Sequence, residues 1–160
     1  MTFDVTEPAL AAGAALGVGF LSGIVPTGAA ELAAIGIGVL KPVTVAALLL
    51  VSFTVGHVAA KVPWYFVGTH ADRVFGARVA RYVERARGLL RAHPRYGTGL
   101  LFVSALASVP PFHLASIAAG ITGIPVVRFV LICFVGRLCR FGLLAAIAAA
   151  ATGSLPPAPP

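Results

Sequence analysis

Two stretches of the chain carry the same order of apolar runs and breaks: residues 22–61 (SGIVPTGAAELAAIGIGVLKPVTVAALLLVSFTVGHVAAK) and 107–140 (ASVPPFHLASIAAGITGIPVVRFVLICFVGRLCR). Each reads as a short apolar segment broken at proline, a second short segment ending in glycine, another proline, and a long apolar run with basic residues embedded in it. Pro26 to Gly36 and Pro110 to Gly120 are equally spaced. In a membrane, interrupted hydrophobic segments at corresponding positions of two halves point to a substrate pathway between them.

The long runs predict transmembrane helices over 43–67 and 125–151, each exceeding the ~20 residues that a bilayer requires. The runs before them are shorter and broken. Residues 9–25 meet Pro26-Thr27-Gly28 and continue only to Leu40, and residues 97–109 meet Pro110-Pro111 and continue only to Ile121. Apolar pieces of ~10–14 residues suit re-entrant segments, and backbone breaks at membrane depth are tolerated where they face protein or a watery cavity. Two re-entrant hairpins are therefore expected, over 9–40 and 97–121, with Pro26, Gly28, Pro110 and Pro111 as the breaks. The expected fold is an all-α integral membrane protein, a single membrane domain over 1–160. It comprises two inverted repeats, each a hairpin followed by a transmembrane helix.

Between the halves, residues 69–96 concentrate arginine. Phe75, Val79, Tyr82, Val83, Ala86, Leu89 and Leu90 recur at helical spacing, with Arg78, Arg81 and Arg85 on the other side, which predicts a basic amphipathic helix within 69–94 that Pro94 ends. The excess of arginine places this loop in the cytoplasm. Its basic face is either a solvated topology signal or a surface that gathers anionic lipid head groups. With two hairpins the amino and carboxyl termini both lie outside, whereas four plain spans would return the carboxyl terminus to the cytoplasm.

Composition agrees with the pattern. The 160 residues are 59% hydrophobic and 11% charged, with a mean hydropathy of +0.97, which places the chain among integral membrane proteins. So short a chain must complete any conducting pathway with re-entrant segments or a second copy, so a homodimer is an expected partner. The amino terminus (MTFDVTEPAL) lacks the basic region of a signal peptide, so the first apolar stretch is expected to be retained. Cys133 and Cys139 point in different directions on one helix and should not form a disulfide. The proline-rich end, 152–160, reads as a disordered tail.

Charge within the apolar runs is the candidate chemistry. Glu31 sits in the first hairpin with no basic neighbour in local sequence; it is either a proton carrier at membrane depth or a first-turn residue favoured by the helix dipole. His57 and Lys61 share one face of the first spanning helix, and Arg137 and Arg140 one face of the second. These four could hold a phosphate, for which arginine's planar fork is suited, or neutralise Glu31. Lys61 alternatively snorkels toward the interface near Trp64 and Tyr65. His113, after Pro110-Pro111, is the counterpart of Glu31, either a proton site or a hydrogen-bonded structural residue. Arg128 marks a membrane edge. No phosphate loop, HExxH, CxxC or Gly-x-Ser-x-Gly is present, so neither an enzyme, a cofactor nor a metal is expected. Membrane lipid is a nearer polyanion for the arginines than nucleic acid.

Taken together, Pro26-Thr27-Gly28 with Glu31, Tyr65-Phe66-Val67-Gly68, Ala119-Gly120, and Phe129 with Gly136 resemble the DedA family, also called the VTT or SNARE-associated Golgi protein family, in its short YqaA-like branch. The resemblance covers about Gly19 to Leu144. It implies two opposed re-entrant hairpins and translocation of a polyprenyl phosphate or phospholipid, with Glu31 as the family's acidic hairpin residue. The chain departs from the family in carrying Lys61 where many members have an acid, and His113 near a position where arginines are usual. The expected function is a multi-pass transporter in the cell inner membrane that moves an anionic lipid between leaflets, with or without proton coupling. The alternatives are a proton-coupled exporter of small solutes using Glu31 and His113, and a non-transporting adaptor acting through Arg78, Arg81 and Arg85.

Overall fold

The computed structural model describes residues 6–24, 28–71, 84, 88, 94–109 and 111–153. Helices account for each apolar run: α1 (Thr6–Ile24), α2 (Ala29–Leu40), α3 (Val43–Ala59), α4 (Val62–Thr69), α5 (Pro94–Ala107), α6 (Phe112–Ile121) and α7 (Val126–Ala151). No strand occurs among the described residues. Three segments are long and apolar enough to cross a membrane: Glu7–Ile24, Val43–Thr69 and Val126–Ala151. α2, α5 and α6 are apolar but shorter.

Two elements differ from the expectation. α1 begins at Thr6 rather than residue 9 and runs 19 residues, long enough to span, because no proline interrupts the chain between Pro8 and Pro26. The run 43–67 is two helices, with a turn at Ala60 and Lys61. Pro63 explains the break: it has no N–H to give to Ala59, and its ring crowds that carbonyl. Lys61 N instead bonds Val58 O at 2.9 Å, and Tyr65 N bonds Lys61 O at 3.1 Å. α7 starts within one residue of the expected boundary. Pro26, Pro110, the arginines at 78, 81 and 85, and residues 154–160 of the tail lie outside the described residues.

The chain divides into two compact units. The first comprises Met1–His57 with Leu138–Pro160, and its core is Ala30, Ala34, Leu50, Phe53, Phe141 and Ala145. Here α1 meets α3 backbone to backbone: a Cβ on Gly19 would overlap the Phe53 carbonyl, and one on Gly56 the Leu16 carbonyl. The second unit comprises Val58–Arg137, and its core includes Tyr65, Leu101, Ala105, Phe112, Phe129 and Cys133. Its α4 and α6 interlock in the same manner, Gly68 against the Ile117 carbonyl and Gly120 against the Tyr65 carbonyl. Small residues at such crossings let membrane helices approach closely, which is where their association energy lies when no water is expelled.

Polarity is distributed as a membrane protein requires. Leu10, Leu21, Val127, Leu131, Leu143 and Ile147 are exposed, whereas Thr54, His57, Lys61, Ser104, Ser116 and Arg137 are buried. The buried hydroxyls of Thr54 and Ser116 donate to the carbonyls of Leu50 and Phe112, at 2.6 and 2.8 Å. Each is thus satisfied by its own helix, without a partner from elsewhere.

Candidate functional site

In the first unit, Gly28 is the N-cap of α2, and Glu31 falls in the first turn, where the helix dipole favours an acid. The cation missing from its local sequence comes from α7. Arg140 places Nε and Nη2 each 3.2 Å from Glu31 Oε1, and about a quarter of each side chain is exposed. His57, on α3, lies under Phe141 and Phe53, with ring centroids 5.3 and 6.2 Å away. The Ser22 hydroxyl donates to Gly19 O at 2.8 Å, so its oxygen accepts from His57 Nδ1 at 3.2 Å. A groove of about 180 Å³ opens beside Gly38, Ala46, Leu50, Gly142 and Ala145, with Lys41 at its edge.

The Glu31–Arg140 pair allows a direct test. Glu31→Gln and Arg140→Gln should each lower the melting temperature of the detergent-solubilised protein, and the double substitution should cost less than the sum. The coupling in this cycle should be about 1 kcal/mol, more than a fully exposed pair would give. Strictly additive losses would show that the two side chains do not act on each other.

In the second unit the cations gather around Phe112, the first residue of α6. Lys61, only 1% exposed at the start of α4, has Nζ 5.7 Å from the centre of the Phe112 ring and 2.9 Å from His113 Nε2. Arg137, 4% exposed on α7, stacks its guanidinium 4.2 Å from the same ring and donates from Nη1 to Ser108 Oγ at 3.1 Å. Trp64 packs its ring edgewise on His113, with centroids 5.6 Å apart. Ser108, just past α5, is held at a φ of +60°, a left-handed conformation that an L-residue other than glycine, asparagine or aspartate seldom adopts. Its amide bonds Ser104 O at 2.9 Å. Pro111 is the N-cap of α6. Lys61 and His113 therefore stand at the first turns of α4 and α6, where helix dipoles add positive potential. Tyr65 fixes the far end of this arrangement, donating its hydroxyl to Ile124 O at 2.7 Å while stacking on Phe129.

The sequence offered Glu31 and His113 as proton sites, and Arg137, Arg140, His57 and Lys61 as cations that hold a phosphate or neutralise Glu31. The structure joins Glu31 to Arg140 in one unit and His113 to Lys61 in the other, with Arg137 beside Lys61 around Phe112. Phe112 and Ser108 were not singled out. Adjacency to His113 was a signal for Phe112, but nothing in the sequence marks the backbone of Ser108. Cys133 and Cys139 are free thiols, as expected. No group of three or more histidine, cysteine or acidic side chains placed to hold a metal occurs among the described residues.

Compared with known proteins, the chain matches no family model, no curated protein and no solved structure.

Proposed function

We propose that this chain is a transporter of DedA type that moves an anionic lipid, a polyprenyl phosphate or a phospholipid, between membrane leaflets. The observation that carries the reading is the convergence of two buried cations, Lys61 and Arg137, on one ring within apolar helices. An ionised side chain at membrane depth costs about 2.5–3.5 kcal/mol even on translocon-based scales, and such residues mark substrate pathways. A phosphate suits this cluster because the guanidinium and ammonium offer only donors, and the first turns of α4 and α6 lie beside them.

In this reading the helix–break–helix pairs α1–α2 and α5–α6 are the two re-entrant hairpins of an inverted repeat. Residues 69–96 face the cytoplasm of a cell inner membrane, and the Glu31–Arg140 pair is a second place where charges meet between apolar helices. Protons and a second copy of the chain are its proposed partners. Reconstitution tests it: vesicles containing the protein should exchange a fluorescent anionic lipid between leaflets about tenfold faster than empty vesicles, a barrier lower by about 1.4 kcal/mol. Equal rates with and without protein, for every anionic lipid tried, would sink the reading.

A further inference from the structure

We infer that His113 gates the anion site of the second unit, so that an anion binding at Lys61 and Arg137 takes up a proton on the His113 ring. The inference rests on the proposed reading of this cluster as an anion site, and it supplies that site's regulation.

The geometry assigns the resting state. An ammonium has donors and no acceptor, so the 2.9 Å contact between Lys61 Nζ and His113 Nε2 requires Nε2 to be the acceptor, with the ring neutral and its proton on Nδ1. In that state Nε2 occupies one of the three donors of Lys61, and an arriving anion must compete with it. Protonation at Nε2 reverses both terms. The ring can no longer accept from Lys61, the ammonium turns its hydrogens elsewhere, and a third positive charge joins Lys61 and Arg137. The proton comes from solvent and returns to it when the anion leaves, so no other reactant is needed. His113 is half-buried.

The polar and titratable groups on the elements near α6 leave His113 as the one suited to this task. The turn before α4 contributes Lys61; α4 contributes Trp64 and Tyr65, the latter's hydroxyl given to Ile124. α5 carries Ser104 and the exposed Tyr96, and Ser108 follows it. α7 carries Arg137, the buried Cys133 and the exposed Arg128. Of these, histidine is the side chain that ordinarily titrates between about pH 5 and 8. Arg137 stays charged throughout, fixed on Phe112 and Ser108, so it anchors the anion while Lys61 switches between His113 and the ligand. Because the proton and the anion each improve the site for the other, the coupling is reciprocal.

The test uses the full chain in detergent and two probes whose own charge is constant over the range, since a phosphate monoester titrates near pH 6. Inorganic sulfate represents a free anion, and short-chain phosphatidylglycerol, a phosphodiester, represents a lipid headgroup. Calorimetric titration in buffers of different ionisation enthalpy counts protons. Wild type should bind phosphatidylglycerol about ten- to a hundredfold more tightly near pH 5.5 than near pH 8, taking up close to one proton per anion at intermediate pH. His113→Gln, which keeps an acceptor for Lys61, should bind with one affinity at both pH values and take up none. A pH dependence unchanged in His113→Gln, or binding by wild type without proton uptake, overturns the gate while leaving the anion site standing. No binding of either probe at any pH overturns the anion site and the gate together. Sulfate binding with proton uptake but no binding of phosphatidylglycerol supports the gate and overturns the lipid reading.

Discussion

Alanine at Gly120 or Gly68 is expected to cost the protein about 3 kcal/mol or more, the upper range for forcing atoms into a packed contact. The size of the effect follows from what a Cβ would meet. At Gly120 it would overlap the Tyr65 carbonyl and crowd the Thr69 amide, and at Gly68 it would overlap the Ile117 carbonyl. These are main-chain atoms, which cannot swing aside as the end of a side chain does. The only relief is to move α4 from α6, and that would pull Tyr65 from Ile124 and Lys61 from His113. Gly99 on α5 is the matched control, since nothing lies within 4 Å of a Cβ there. Gly99→Ala should be neutral or gain up to about 1 kcal/mol from helix propensity. Melting temperatures in detergent distinguish the cases: a fall of about 6–12 °C is expected for either interlocking glycine at this chain length. An unshifted melt for Gly120→Ala would mean that α4 and α6 do not cross as described.

Replacing Arg137 with glutamine is expected to slow lipid exchange by about tenfold to a hundredfold, the worth of a lost hydrogen bond from a charged group, about 1.5–3 kcal/mol. Arg137→Lys should fall between. It keeps the charge, but an ammonium cannot lie flat on Phe112 while also reaching Ser108, so the planar fork matters as well as the sign. The intermediate rate is what separates ligand binding from a purely structural role. If Arg137 served only to hold Ser108 in its left-handed turn, exchange would follow the melting temperature across both variants. If it holds an anion, exchange should fall in Arg137→Gln even where the melt is unchanged, and the apparent affinity for the anionic lipid should fall with it. Wild-type exchange in Arg137→Gln would remove this residue from the transport pathway.

The helical architecture was legible because proline and glycine punctuate apolar runs in ways that backbone chemistry enforces. Pro111 and Gly28 stand at the starts of α6 and α2 as their positions suggested. Pro63 carried the same kind of signal for the break before α4. What spacing could not identify was which glycines make close contacts. Of Gly13, Gly17, Gly36 and Gly38, all within apolar helices, a Cβ at the first three would meet nothing within 4 Å, and only Gly38 lies against another backbone, that of Ala145. The glycines that interlock in the two units include Gly19, Gly56, Gly68 and Gly120.

The same limit applies to charge. From the amino-acid order alone one reads apolar helices long enough to span a membrane and the presence of Glu31, His57, Lys61, His113, Arg137 and Arg140 within or beside apolar runs, where charge is costly. The pairing of those residues is a property of the folded chain. Glu31 meets Arg140 from 109 residues away, and His113 meets Lys61 from 52. A soluble helix announces its orientation through a polar face, but a helix that is apolar on every side carries no such mark. Its rotation is set where its backbone fits against that of a distant helix, and that fit decides which buried charges face each other.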